Sequence, residues 1–438
     1  MRSIPKCENV TLPYWDETGR DTQEHGVPGI FLEQYFNLDG VDIANPLYSY
    51  KFPQNIVDRV DQDPTQPTFN LYTKKKGYST VRYPYSGLVG TQAAAEASEK
   101  HNSLFKPQEA AVYLNQNVKN WLNAGITVDG TFIPTGTRLK FNNCLHAPNY
   151  TVFSNTTSAE AWNDVASPAD LVVPLESPHN DIHLAVGGFE VEGQGDFSPI
   201  PGANGDMGEN DTAGLDPIFY FHHCEIDRYF WLWQLKNGST DKLDIIPEYP
   251  GTNSVDNQGP TPGVAGGTWL SLQSELQPFK KPTDDGGERY FNSTDVINIE
   301  TQLGYTYEKA NKFLDALPPP QRADSSVKIG GVNKNNIAGS HQLKVYAKYP
   351  QDAEKKLIAV ESILSRWHVS GCANCQVSAD VQRYVPLHGI PAKHVDNGDV
   401  EVSVEVVTRS GTNLGGKLGD VRLNPTLEVI GKERKYVI

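Results

Sequence analysis

The sequence predicts a mainly α-helical core with long loops, followed by a β-rich, sandwich-like C-terminal region. Three observations carry this. Asp216 to Trp233 is an almost unbroken apolar and aromatic run that opens like a helix, with Asp216 at a capping position and Pro217 in the first turn, where a missing N–H costs nothing. Glu176-Ser177-Pro178-His179-Asn180-Asp181-Ile182-His183 places two histidines four apart behind another first-turn proline, and Gly187-Gly188 then permits a left-handed helix end. After the proline-rich stretch 318–326, the apolar period becomes two, over His341 to Ala347, Val400 to Val407 and Leu427 to Ile430. The reading is a helical unit over 1–317, a linker over 318–326 and a β-rich unit over 327–438.

Taken in order, residues 1–90 read as loops with short elements, including a buried anchor at Leu12 to Trp15, a polar loop around His25 and a short helix over Ile30 to Tyr35. Thr91 to Lys100 is alanine-rich and helical, and Pro107 to Leu122 forms a second helix. Ala159 to Trp162 is a short helix. Gly193 to Gly208 is a glycine-rich loop joining the two histidine-bearing helices, so it should form the rim of any pocket there, with Met207 either reaching inward or packing at the rim. The helix from Asp216 runs to about Lys236 and breaks at Asn237-Gly238. Beyond it the chain is rich in proline and glycine, with helical stretches at Trp269 to Leu276 and Glu308 to Leu317 and a turn at Asp396-Asn397-Gly398.

At 438 residues the chain is long enough for a large core. Its formal net charge of -15 argues against nucleic acid or an anionic membrane as a partner. No apolar run approaches the length of a membrane span, and Met1 to Lys6 has no apolar signal core, so the expected location is the cytoplasm. Five cysteines in so long a chain are not a disulfide framework. Cys224, inside the aromatic helix, reads as a small core residue. Cys372-Ala373-Asn374-Cys375 has the spacing for two thiolates to hold one soft ion such as Cu(I), or to form a local disulfide or redox pair.

The buried helix must also satisfy His222, His223, Glu225, Asp227 and Arg228. An internal network of salt bridges and hydrogen bonds would do so, and so would a metal. His179 and His183 project from one helix face a turn apart, and a third imidazole can come from the helix that starts at Asp216. Three imidazoles suit copper or zinc; magnesium and calcium want oxygen. No Glu directly follows His179, so the zinc-protease pattern is absent.

Leu12-Pro13-Tyr14-Trp15-Asp16, the Glu176 to His183 block, Gly187-Gly188 and Asp216 to Arg228 together resemble a fungal tyrosinase or catechol oxidase, a type 3 copper protein. The resemblance implies two coppers, each held by three histidines, that act on O2 to hydroxylate small phenols and oxidise catechols to quinones. It implies that the second copper takes His179, His183 and His223, that His222 is the adjacent non-ligand, and that Asp227 orients a ligand ring. It implies that Glu176 holds a water that helps deprotonate a phenol and that Asn180 orients this water, which favours tyrosinase over pure catechol oxidase. It further implies that the C-terminal region packs over the copper pocket, and that Cys372 and Cys375 handle copper. In the family the first-copper histidines precede the Leu12 segment, yet no histidine precedes it here. The expectation is therefore one copper on this chain, which is either part of a longer enzyme or half a site, without competent turnover as written. The competing readings are a non-catalytic copper-binding protein and a mononuclear metal hydrolase with Glu176 as base.

Overall fold

The computed structural model describes residues 5–6, 10–57, 73–89, 92–128, 130–190, 205–254, 263–337, 339–348, 353–366, 380–408, 426–430 and 435–437. The helices are α1 (Arg20–His25), α2 (Gln92–Asn102), α3 (Pro107–Asn123), α4 (Thr137–Cys144), α5 (Tyr150–Ser154), α6 (Thr156–Asn163), α7 (Glu176–Gly187), α8 (Ile218–Asn237), α9 (Ala310–Asp315) and α10 (Ala392–Asp396). Among the described residues, no helix is long and apolar enough to cross a membrane.

The helical core is built around α7 and α8. On α8, Ile218, Tyr229, Trp231, Leu232 and Trp233 are buried, and the helix ends where Gly238 takes a left-handed conformation at φ 63°. Its start is fixed by Asp216, whose Oδ1 accepts from the N–H of Ile218 at 3.1 Å. The same carboxylate is gripped by the buried Arg82, whose Nη2 lies 2.6 Å from Oδ1. On α7, Ile182 to Gly187 are buried, with α3 and α4 packed beside them. Asn117 and Trp121 of α3 satisfy carbonyls at the end of α7, with Asn117 Nδ2 donating to Ala185 and Phe189 at 2.7 Å each. At Gly187 the helix touches the 205–208 segment so closely that an added Cβ would fall 1.8 Å from the nitrogen of Gly208.

Short antiparallel hairpins decorate this core: β1 (Tyr35–Leu38) with β2 (Val41–Ala44), β3 (Ile56–Val57) with β4 (Thr73–Lys74), β5 (Gly125–Val128) with β6 (Thr131–Pro134), β7 (Asn253–Ser254) with β8 (Thr268–Trp269), and β9 (Glu275–Pro282) with β10 (Glu288–Asn292). The later strands are β11 (Ser326–Asn333), β12 (His341–Lys348), β13 (Lys356–Ile363), β14 (Asp380–Pro386), β15 (Glu401–Thr408), β16 (Thr426–Ile430) and β17 (Lys435–Val437). They form two antiparallel sheets in the orders β14-β11-β16-β17 and β13-β12-β15. Val327, Ile329, Leu343, Val345, Val404 and Val406 share one core between these sheets. The alternation read along 400–407 is real: Val402, Val404 and Val406 are buried, with less buried residues between them. β13 packs on α7, and the buried Lys140 of α4 ties the two by pairing with Asp181 at 3.1 Å and with Glu361 at 3.2 Å.

Some local expectations fail. Ile30 to Tyr35 is a single 3₁₀ turn, Gly29–Phe31, that runs into β1. Trp269 to Leu276 is not helical: β8 pairs with β7 and a Ser271–Ser274 turn leads into β9, so strand partners override a run too short to propagate a helix. His25 ends α1 and does not sit in a loop. Cys224 is half-buried, not core, because it lies off the packed face of α8. Within 318–326, the carbonyls of Pro318 and Gln321 bond to His146 and Asn143, so this stretch lies along the end of α4.

Candidate metal centre

Pro178 is buried in the first turn of α7, and His179 and His183 follow on one face with ring centroids 4.5 Å apart. Across the seam, α8 presents His222 and His223. One ring nitrogen from each of His179, His183, His222 and His223 lies within 4.8 Å of the others.

The hydrogen bonds behind the rings decide which nitrogen faces inward. His183 Nδ1 bonds the carbonyl of Met207 at 2.7 Å, and His223 Nδ1 bonds the carbonyl of Phe219 at 2.7 Å. A carbonyl only accepts, so both rings carry their proton on Nδ1 and turn a bare Nε2 lone pair inward. His179 Nδ1 lies 2.9 Å from Asn180 Oδ1, and His222 Nδ1 lies 2.6 Å from Glu17 Oε1. The Nε2 atoms of His179 and His223 are 3.1 Å apart. Those of His183 and His222 are buried and without a hydrogen-bond partner among the described residues. Four imidazoles packed so closely cannot all be charged. Burial, with the neighbouring His223, brings the pKa of His179 down to about 4. Burial, with the adjacent rings, holds His183 and His222 well below the ordinary histidine range, and burial lowers His223 as well. The rings are therefore neutral near pH 7, which is the form that ligates. An all-imidazole donor set with orphaned inward lone pairs fits copper or zinc.

Other candidate residues are placed as follows. Glu176 Oε2 accepts from the N–H of Thr156 at 2.7 Å, and Glu176 is exposed at the start of α7. Glu176, His179 and Asn180 line one cavity of about 550 Å³, whose far wall includes Lys334, Ile363, Leu364 and Arg383. Asn180 Oδ1 lies 2.9 Å from His179 Nδ1, so Asn180 contacts the first ring of the cluster directly. Asp227 does not orient a ligand ring. Its Oδ2 accepts from Tyr305 at 2.9 Å and Tyr307 at 2.5 Å, and the carbonyl of Phe219 takes the place behind His223. The reason is helical geometry: the carbonyl four residues before His223 lies directly under its ring, nearer than a side chain one turn onward. Cys372 and Cys375 lie outside the described residues, as does His368. His25, His101, His146, His341 and His394 each bond a carbonyl or carboxylate away from the cluster.

Sequence reasoning missed Glu17 and the carbonyl of Met207. Met207 is wholly buried, and its backbone, not its thioether, serves the site. Glu17 is 205 residues from the ring it holds, and no local pattern links the two.

The profile of the common central domain of tyrosinase matches residues 1–236. The chain is 46% identical over 412 residues to tyrosinase HcTyr2 of Hahella, covering 90% of this chain and 73% of that one. It is 42% identical to a tyrosinase of Aspergillus oryzae, covering 94% of this chain and 78% of that one. A solved tyrosinase from Burkholderia thailandensis at low pH superposes with a TM-score of 0.77 at 43% identity, covering 96% of this chain and 80% of that one. The relatives thus include bacterial and fungal proteins, which broadens the fungal likeness read from the motifs. This chain belongs to the tyrosinase family of copper oxidases.

Proposed function

We propose that this chain is a tyrosinase-type phenol oxidase component in which His179, His183 and His223 hold one copper. The observation that carries the reading is the pair of backbone carbonyls behind His183 and His223, which fix both Nε2 lone pairs toward a common centre. Bound copper supplies the redox chemistry with O2 that oxidises a phenol or catechol. The protein's part is geometric and electrostatic. Asn180 and the Met207 and Phe219 carbonyls orient the rings. The cavity over His179 admits a small aromatic substrate, and Glu176 in its wall is the group placed to take a phenolic proton through a water, with Oε1 remaining once Oε2 has bonded Thr156. Family membership favours this oxidase over a mononuclear hydrolase or a non-catalytic copper-binding protein.

Among the described residues, the four-histidine cluster is the one group of histidine, cysteine, aspartate or glutamate close enough to share an ion. We therefore assign one copper to this chain, with turnover requiring a second three-histidine set. We also read the β-rich region, 327–438, as a cover over the cavity, joined through 318–326 to a catalytic unit at 1–317. Support comes from Lys334, Ile363, Leu364 and Arg383 in the cavity wall. The test is copper per chain together with O2 uptake on a catechol. One tightly bound copper without uptake is the expected result. Two coppers, or none, would overturn the assignment.

A further inference from the structure

We infer that Lys334 is a site of covalent attachment for an ortho-quinone, the product class that the oxidase reading gives this centre. The inference rests on that reading, and it concerns the far wall of the cavity over His179. The β-rich region supplies that wall. Asn333, the last residue of β11, pairs in register with Asp380 of β14, and its Nδ2 donates to Asp380 Oδ1 at 2.7 Å. The chain then turns, with the N–H of the buried Ile337 donating to the carbonyl of Lys334 at 3.1 Å. This pinned turn puts the Lys334 side chain on the cavity of about 550 Å³ that also reaches His179. Among the described residues, Lys334 is the one lysine lining that cavity, and no cysteine lines it.

The other charged groups of this wall are committed. Arg383 bonds Glu160 and the carbonyl of Gln382, Asp164 accepts from Lys328 and Tyr384, and Asp380 holds Asn333. Lys334 is half-buried and has no hydrogen-bond or ion-pair partner among the described residues. Burial and the Arg383 guanidinium hold its pKa below the ordinary lysine value, against the opposing pull of Glu160 and Glu176. More of it is therefore the free amine, the form that attacks carbon. Once the ammonium has given a proton to water, Nζ adds to a ring carbon conjugated with a quinone carbonyl. The N–C bond forms, and the protons lost from the amine N–H and the ring C–H end on the two quinone oxygens. The product is an aminocatechol joined to the protein, and no outside oxidant is needed. The adduct keeps its ring in the cavity and closes it to the next substrate.

The experiment treats the metal-free full chain with the ortho-quinone of methylcatechol, made beforehand so that no turnover is required, and maps lysine adducts by mass spectrometry. The exposed Lys75 and Lys76 are internal references. Lys334 should carry about tenfold more adduct than either, because the cavity holds the quinone beside the amine. An excess of dimethoxytoluene, the same ring with both oxygens blocked by methyl groups, should protect Lys334 and leave Lys75 and Lys76 unchanged. Lys334→Arg, which keeps the charge, should leave no adduct that the blocked ring protects against. Equal labelling of the three lysines, no protection by the blocked ring, or a protected adduct on another lysine would overturn the inference. The copper reading fails separately: a chain that binds no copper yet labels Lys334 selectively would lose the oxidase assignment and keep the attachment site.

Discussion

The Nε2 atoms of His179 on α7 and His223 on α8 stand 3.1 Å apart. Two nitrogens bound at about 2.0 Å to one tetrahedral ion would lie roughly 3.3 Å from each other. The two rings therefore stand close to ligand spacing, and the groups behind them hold that geometry.

Asn180→Leu should weaken copper binding about 10- to 100-fold while the fold persists, because the His179 ring loses the amide oxygen 2.9 Å behind Nδ1. Chelator competition monitored by copper absorbance measures this. Unchanged affinity would show that packing alone orients the ring.

Gly187→Ala should destabilise the chain by about 1–3 kcal/mol and weaken metal binding with it. The new Cβ would meet Gly208 N at 1.8 Å and the Met207 carbonyl carbon at 2.7 Å, pushing away the segment whose carbonyl holds His183. Urea melts of the metal-free chain, paired with a copper titration, separate the two effects.

Arg82→Met strands the buried Asp216 carboxylate at the start of α8 and should cost about 3–5 kcal/mol. Adding Asp216→Asn to the same chain removes the stranded charge and should recover a substantial part of the loss. A double variant as unstable as the single one would mean that the guanidinium acts mainly through the Phe31 and Leu47 carbonyls it also bonds.

Acid should act on His341, which is buried in β12 and whose pKa burial brings down to about 3. Its folded pKa lies below the unfolded value near 6.5, so between those values the unfolded state binds a proton that the folded state does not. Its contribution to stability therefore falls as pH drops from about 6.5 toward 3. Going from pH 7 to pH 5, His341→Gln should lose about 2 kcal/mol less than the unsubstituted chain. Parallel urea melts at the two pH values give the difference directly.

The two histidine helices were legible because local chemistry marks them. Pro178 and Pro217 sit where helices begin, Gly188 and Gly238 where they end, and apolar side chains fill the rest. The alternation of Val402, Val404 and Val406 likewise announced a strand with one face in a core. Trp269 to Leu276 misled because a short apolar run takes its conformation from whichever partner reaches it, and here the partners are strands.

By itself, the sequence determined which histidines meet at the seam of two helices: a four-residue spacing on one helix face and a histidine pair on a second greasy helix. Only the tertiary structure decided how those rings point. Glu17, the Met207 carbonyl and the Phe219 carbonyl come from a distant loop, a neighbouring turn and the helix backbone. Periodicity records which face of an element is buried. It does not record which acceptor a ring nitrogen will meet, because that contact exists only once separate segments have packed together.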